Sequence, residues 1–231
     1  MDIQPNDVLL ITRGLIVLIM SVAVHEFGHA WVADRLGDDT PSRQGRVTLN
    51  PIAHADPMGT LILPLVAMLY AAQAGAPIGA GFGWGKPVET QPRNYSRRFR
   101  MAAGQVLVAL AGPLMNVLFG TFLVLLHAIL IKTNAIEGHD RLSDALAFAV
   151  GLNFTLFFFN LLPIPPLDGG WVLEYFAPYK WRRHLEKYQT YSPFVFMAVV
   201  FIPQLRFLFM TPAAFVTRHV YTGVFTLFGL A

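Results

Sequence analysis

Apolar residues fall into six stretches along the chain, separated by shorter polar connections. The stretches cover about residues 8–36, 58–74, 101–131, 142–162, 191–209 and 212–230. A bilayer core of about 30 Å requires about 20 residues of helix for one crossing, so five of the six are long enough to span a membrane. The second stretch is shorter and adjoins a glycine-rich run at residues 75–85. The pattern predicts an all-α polytopic membrane protein with about five or six transmembrane helices.

The composition favours the same class and excludes others. Of 231 residues, 55% are hydrophobic and only 13% are charged, whereas about 25% are charged in soluble domains. The chain has no cysteine, which excludes a disulfide-stapled secreted module. The formal net charge of +3 is too small to indicate a nucleic-acid partner. We expect a single integral membrane domain over residues 1–231 whose surroundings are the lipid bilayer, and the sequence defines no oligomeric state.

Two basic clusters predict the orientation of the chain in the membrane. The first precedes the third stretch and the second follows the fourth; their members are Arg93, Arg97, Arg98 and Arg100, and Lys180, Arg182, Arg183 and Lys187. The positive-inside rule places both clusters in the cytoplasm. The third helix would then run outward and the fourth would return.

The first stretch contains the pattern H-E-x-x-H at residues 25–29. On a helix, His25 and His29 share a face and can place two imidazoles on one zinc ion, with Glu26 beside them as a general base. A chance match is the alternative. An acidic side chain at the centre of a membrane helix costs about 2.5–3.5 kcal/mol, however, so these residues indicate a polar cavity or a metal.

A catalytic zinc site usually takes three protein ligands, and Asp168 is the best third candidate. Three prolines interrupt the helix just before Asp168, and two glycines free the backbone after it. A simple loop at the membrane surface is the alternative. His54 and Asp56, which lie between two further prolines, are alternative ligands or line the mouth of the site.

If His25, His29 and Asp168 bind one metal ion, the membrane topology of the chain is restricted. Both the first and the fourth helices must end on the same side, which the basic clusters identify as the cytoplasm. The first helix would therefore run inward, and the second stretch with its glycine-rich run would form a re-entrant or short β element before the next helix. The active site is expected toward the cytoplasmic side.

Several motifs together resemble the site-2 protease family of intramembrane zinc metalloproteases. They are the H-E-F-G-H of residues 25–29, the A-G-P-L-M-N of residues 111–116 and the segment 160–170 with its Leu-Asp-Gly. Residues 50–57 and 83–88 resemble compact members of the family without PDZ or CBS domains. The resemblance covers about residues 8–175 and leaves the C-terminal hairpin, about 191–230, outside the motif core.

The resemblance implies one Zn²⁺ per chain, held by His25, His29 and Asp168, with Glu26 as the general base. It also implies that Asn160 stabilises the oxyanion or orients the water. Asn116 either lines the site or serves helix packing next to the Gly-Pro pair before it.

The expected function is intramembrane endopeptidase activity on the transmembrane segments of membrane-protein substrates, in a bacterial-type inner membrane. A helical substrate must be unwound before cleavage, and an exposed backbone edge can hold the unwound segment. Residues 81–88 are the candidate edge, and the predicted substrate-binding residues are Gly83, Trp84, Gly85, Lys86, Pro87 and Val88. The alternative is an interfacial loop with Trp84 in the headgroups.

Two other functions remain open from the sequence. His25, Glu26 and Asp168 would also suit the ion path of a membrane ion or proton transporter. An inactive family member would act as a membrane adaptor. The C-terminal hairpin, expected to turn at residues 210–212, is a candidate gate for substrate access.

Overall fold

The computed structural model describes residues 3–76, 78–79, 83–96, 100–138 and 140–230. Its α-helices are α1 (Pro5–Arg35), α2 (Thr40–Arg43), α3 (Pro51–His54), α4 (Leu63–Gln73), α5 (Met101–Lys132), α6 (Arg141–Asn160), α7 (Asp168–Phe176), α8 (Arg182–Phe201) and α9 (Phe207–Phe228). A π-helix, Pro57–Ile62, leads into α4, and short 3-10 turns cover Pro92–Asn94, Tyr179–Trp181 and Pro203–Arg206. The described residues contain no strand.

Three helices, α1, α5 and α6, are long and apolar enough to cross a membrane. The pair α8 and α9 makes a fourth candidate if the two count as one span, although they are bent by 92° relative to each other. The predicted all-α membrane class is confirmed. The described part of the chain thus offers three or four candidate spans, fewer than the five or six expected from the apolar stretches.

Helix α5 packs between α1 and α6 and is the centre of the fold. Val124 of α5 contacts Val150 and Phe154 of α6, and all three are fully buried. On the other side of α5, a Cβ atom on Gly28 of α1 would lie only 2.6 Å from the carbonyl oxygen of Ala111. Small residues that allow such close backbone approach are typical of helix pairs in membranes, where apolar side chains alone give little driving force for association.

The second apolar stretch forms the π-helix and α4, which together span 17 residues. At 1.5 Å per residue this is about 25 Å, too short for a full crossing without distortion of the bilayer. Residues 83–91 after it form neither helix nor strand, so no β element forms among them. Residues 77 and 80–82, including Gly81 of the candidate edge, lie outside the described residues, as do Arg97 and Arg98 of the first basic cluster.

The C-terminal helices differ from the prediction in their boundaries. Helix α8 begins at Arg182, nine residues before the apolar stretch, because the polar segment 182–190 is also helical. The chain bends at Ile202 and Pro203, not at residues 210–212, which lie within α9. Pro203 has no N–H to continue a helix, and the residue before a proline disfavours the α conformation; Ile202 is accordingly extended.

Candidate metal centre

Helix α1 places His25 and His29 on its face toward α5, and their Nε2 atoms lie 3.0 Å apart. Each ring is held from α5 through its other nitrogen. His29 Nδ1 lies 2.7 Å from the carbonyl oxygen of Val108, and His25 Nδ1 lies 2.7 Å from Oδ1 of Asn116. Because both contacts are made on the Nδ1 side, both Nε2 atoms are turned into the same space.

Asp168 enters that space from the first turn of α7. Its Oδ2 lies 3.2 Å from Nε2 of His25, and its Oδ1 lies 3.4 Å from Nε2 of His29. The chain reaches this position by folding back tightly after α6. A Cβ atom on Gly169 would lie 2.3 Å from the carbonyl oxygen of Leu161, so only glycine fits after the aspartate.

The three side chains form a donor set that suits zinc. A backbone carbonyl only accepts hydrogen bonds, so His29 Nδ1 carries a proton and the lone pair of its Nε2 can bind a metal ion beside Asp168. In a tetrahedral site with bonds of about 2.0–2.1 Å, ligand atoms lie about 3.3 Å apart. The separations of 3.0, 3.2 and 3.4 Å agree with this value. Among the described residues, no further His, Asp or Glu joins the group, which leaves a position for water as in catalytic zinc sites.

A cavity of about 870 Å³ contains the three side chains. Glu26 also lines it, close to the backbone of Gly85, and so does Asn160, which donates one amide N–H to the carbonyl oxygen of Leu156 at 3.0 Å. Helix α8 contributes an apolar wall through Phe196, Met197 and Phe201. The cavity therefore combines polar, acidic and imidazole groups with a wall suited to apolar side chains.

Residues 83–88 run along this cavity, and all of them except Lys86 line it. The Trp84 N–H donates to the carbonyl oxygen of Gly59 at 3.1 Å, and the Trp84 carbonyl accepts from the Thr60 hydroxyl at 2.7 Å. The Lys86 N–H donates to the carbonyl oxygen of His54 at 2.9 Å. The backbone groups of residues 84 and 86 are thus hydrogen-bonded to the π-helix and to α3.

The family model for peptidase family M50 matches residues 13–141 and 130–203. The chain belongs to peptidase family M50. Two of its relatives are "Putative zinc metalloprotease YwhC" of Bacillus subtilis, 38% identical over 193 residues, and "Putative zinc metalloprotease Rip2" of Mycobacterium tuberculosis, 34% identical over 184 residues. The first alignment covers 82% of the chain and 80% of the relative, and the second covers 80% and 64%. No solved structure is significantly similar to the chain.

Membership of family M50 confirms the resemblance to the site-2 proteases drawn from the motifs. This M50 peptidase is a membrane zinc metallopeptidase, and the zinc agrees with the donor set of His25, His29 and Asp168. The H-E-x-x-H motif contains His25 and His29, and the Leu-Asp-Gly motif, which is far from it in the sequence, contains Asp168. The fold brings these three residues together.

Three other predicted site residues of the M50 peptidase lie outside the described cavity lining. His54 is fully buried beneath residues 83–88, and its Nε2 donates to the carbonyl oxygen of Thr48 at 2.8 Å. Asp56 caps the π-helix by accepting the Gly59 N–H at 2.6 Å. Asn116 lies behind the ring of His25. None of these three is part of the described cavity lining or of the three-ligand group.

Sequence reasoning missed two groups of residues that support the M50 site. Arg46 is buried, and its guanidinium donates to the carbonyl oxygens of Ala53, Lys86 and Pro87, which ties residues 83–88 to α3. No motif marks this arginine. Asn153 of α6 is fully buried against Asn116, and an amide within the apolar stretch 142–162 was a signal that could have identified it.

Proposed function

We propose that this M50 peptidase cuts the transmembrane segments of other membrane proteins, with His25, His29 and Asp168 as its zinc ligands. One observation carries the proposal: the three ligand atoms converge in a cavity that is built between membrane-type helices and has an apolar wall from α8. Apolar segments that reside in lipid are the substrates for which such a wall is suited. The products would be released into the membrane or the cytoplasm, as in regulated intramembrane proteolysis.

The proposed chemistry divides between the metal and two side chains. Bound zinc supplies an activated water and polarises the scissile carbonyl. Glu26 lies in the cavity next to His25, where its carboxylate takes the proton of the attacking water and passes it to the leaving amine. Asn160 donates one amide N–H to the Leu156 carbonyl, and the second, which has no partner among the described residues, can hold the developing oxyanion.

The backbone of residues 83–88 is the proposed substrate-binding edge. Backbone groups of successive residues point in opposite directions along an extended chain, and those of Trp84 and Lys86 face the protein. The N–H and carbonyl of Gly85 then face the cavity, where they can pair with an unwound substrate segment. Gly83 and Val88 extend the same surface, and Pro87 lines the cavity although its carbonyl oxygen accepts a hydrogen bond from Arg46.

The proposed site faces the cytoplasm of a bacterial-type inner membrane, within a single domain of residues 1–231. Arg93 and Arg100 precede α5, and Lys180, Arg183 and Lys187 follow α7. Tyr95, which lies between the two arginines, packs with Ala33 and Leu36 at the end of α1. The positive-inside rule assigns that end to the cytoplasm. Gating of substrate access by α8 and α9 stays a prediction, supported by the contribution of α8 to the cavity wall.

Zinc content and cleavage, measured on the detergent-purified protein, test the proposal. The native chain should carry about one zinc, Asp168→Ala should lose most of it, and Glu26→Gln should keep it. Glu26→Gln should also abolish cleavage of a membrane-protein substrate that the native chain cuts. Equal zinc in the native and Asp168→Ala proteins would remove Asp168 from the site, and an active Glu26→Gln enzyme would overturn the assigned base.

A further inference from the structure

A buried chain of polar side chains connects α6 to the metal centre. It runs from Asn153 of α6 to Asn116 of α5 and from there to His25 of α1. Asn153, Asn116 and the neighbouring Ser21 of α1 are fully buried. Buried polar groups at membrane depth are costly unless all of them are satisfied, so the pattern of donors and acceptors in this chain can be determined.

The orientation of the Asn116 amide follows from its contact with Ser21. The Ser21 backbone carbonyl, 3.1 Å from Asn116, can only accept a hydrogen bond, so the atom facing it is the amide nitrogen. The same nitrogen donates to Oδ1 of Asn153 at 2.9 Å. The amide oxygen of Asn116 is therefore the atom 2.7 Å from His25 Nδ1, and since it only accepts, His25 Nδ1 must carry the proton.

The orientation of the Asn153 amide is fixed in the same way. Its nitrogen lies 2.9 Å from the carbonyl oxygen of Ala149, which only accepts, and it also donates to the Ser21 hydroxyl oxygen at 2.9 Å. Its oxygen is thus presented to Asn116. Turning over either amide would set oxygen against oxygen, so the whole chain of hydrogen bonds has a single direction that ends at His25.

We propose that Asn116, held in its orientation by Asn153 and the Ser21 carbonyl, is a positioning residue for His25. Its side-chain oxygen keeps the imidazole proton on Nδ1, so the lone pair of Nε2 is available to bind zinc. The proposal rests on the proposed role of His25 as a zinc ligand. Asn116 would accept the Nδ1 proton of His25 just as the Val108 carbonyl oxygen accepts that of His29. Hydrogen bonds to the non-coordinating nitrogen typically determine the tautomer and ring orientation of metal-ligating histidines.

The test compares zinc affinity, by chelator competition on the full chain in detergent, with the thermal stability of the zinc-free protein. Asn116→Leu keeps the side-chain volume but removes the acceptor, and it should weaken zinc binding about 10–100-fold. Asn153→Leu is the matched control. It disrupts the same buried network and should lower thermal stability comparably, but the Ser21 carbonyl still orients Asn116, so the loss of zinc affinity should stay below about tenfold.

The outcomes separate this proposal from the proposed ligand set. Native zinc affinity in Asn116→Leu, or equal losses of affinity in both variants, would overturn the positioning role. His25→Ala serves as the reference: if it binds zinc as the native chain does, the ligand set itself is wrong.

A second measurement needs no variant of the network. Nuclear magnetic resonance of the zinc-loaded native chain with ¹⁵N-labelled histidine should show the His25 proton on Nδ1, in a hydrogen bond. The His25 signal is assigned by its absence in His25→Gln. A proton on Nε2 of His25 would overturn the proposal even if Asn116→Leu does not fold.

Discussion

A Cβ atom on Gly112 of α5 would lie 2.3 Å from Nε2 of His29 and 2.7 Å from Nε2 of His25. Helix α5 passes the ligand atoms so closely that residue 112 has no space for a side chain. The same close approach of α1 and α5 occurs at Gly28, where a Cβ atom would meet the Ala111 carbonyl. The packing of these two helices and the geometry of the metal centre therefore depend on the same contact.

Gly112→Ala should remove bound zinc from the protein. The added methyl group would occupy space beside both Nε2 atoms, so the histidines or the helix must shift away from ligand distance. Zinc per chain after metal-replete purification measures the effect. Gly151→Ala on α6 is the control, since a Cβ atom there has no neighbour within 4 Å, and it should keep its zinc. Full zinc in Gly112→Ala would contradict the placement of α5 over the ligands.

Gly85→Ala should reduce substrate cleavage while zinc is retained. A Cβ atom at residue 85 would lie 2.6 Å from Cγ1 of Val22 and 3.2 Å from Oε1 of Glu26, so the change displaces the proposed binding edge or the proposed base. Neither consequence involves the zinc ligands. Cleavage rate and zinc content should be measured together. Gly79→Ala, where a Cβ atom has no described neighbour within 4 Å, should behave like the native chain.

The ligand group could be predicted from the sequence because its signals are local. The spacing of His25 and His29 fixes their common helix face, and the prolines and glycines around Asp168 indicate a break in the helix at that point. The contacts of the supporting residues have no such local signal, although Asn153 is recognisable as an amide within an apolar stretch. The carbonyl groups that Arg46 binds lie 7 to 41 residues away along the chain. The partners of Asn153 on the other helices lie 37 and 132 residues away. Only the folded chain shows these contacts.

The C-terminal boundaries show a second limit of the sequence analysis. Hydropathy reports where a helix is suited to lipid, but it does not report where the helix begins. The polar residues 182–190 extend α8 well before its apolar part, and this extension was not predicted. Pro203, by contrast, has a direct physical effect on the backbone, and the bend at that residue could have been predicted from the proline alone.

Arg46→Met should destabilise the protein by about 3 kcal/mol, because three carbonyl oxygens lose a charged donor and buried acceptors without partners cost about 1–3 kcal/mol each. The segment 83–91 should also become more sensitive to limited proteolysis. Arg43→Met is the control. Arg43 is exposed and, within the described part of the chain, its side chain pairs with Asp39 alone across one helical turn, so its loss should change stability by about 0.5 kcal/mol or less. Similar unfolding temperatures for both variants would show that the hydrogen bonds of Arg46 do not stabilise the protein.

Asp38 connects the end of α1 to the segment before α5, and its effect on stability should depend on pH. Its carboxylate is buried and accepts hydrogen bonds from the Thr40 N–H and hydroxyl, the Gln91 N–H and the Asn94 amide. Burial opposes ionisation, but these hydrogen bonds outweigh it and lower the pKa of Asp38 below its ordinary value of 3.8. The ionised form is thus bound more favourably in the folded chain than in the unfolded one.

Asp38→Asn should therefore lower stability at neutral pH by about 2 kcal/mol, the order expected for hydrogen bonds to a charged group. Because the folded pKa is the lower one, the stabilisation is complete above pH 3.8 and is lost as the pH falls through the folded pKa. The native chain and Asp38→Asn should consequently differ by a constant amount from neutral pH to above about pH 4 and converge only below it. Thermal unfolding in detergent between pH 7 and pH 3 measures this difference. Asp39→Asn is the control at an exposed neighbouring carboxylate, and its stability should stay close to that of the native chain at neutral pH. A stability difference between the native chain and Asp38→Asn that widens on acidification would contradict the role given to Asp38.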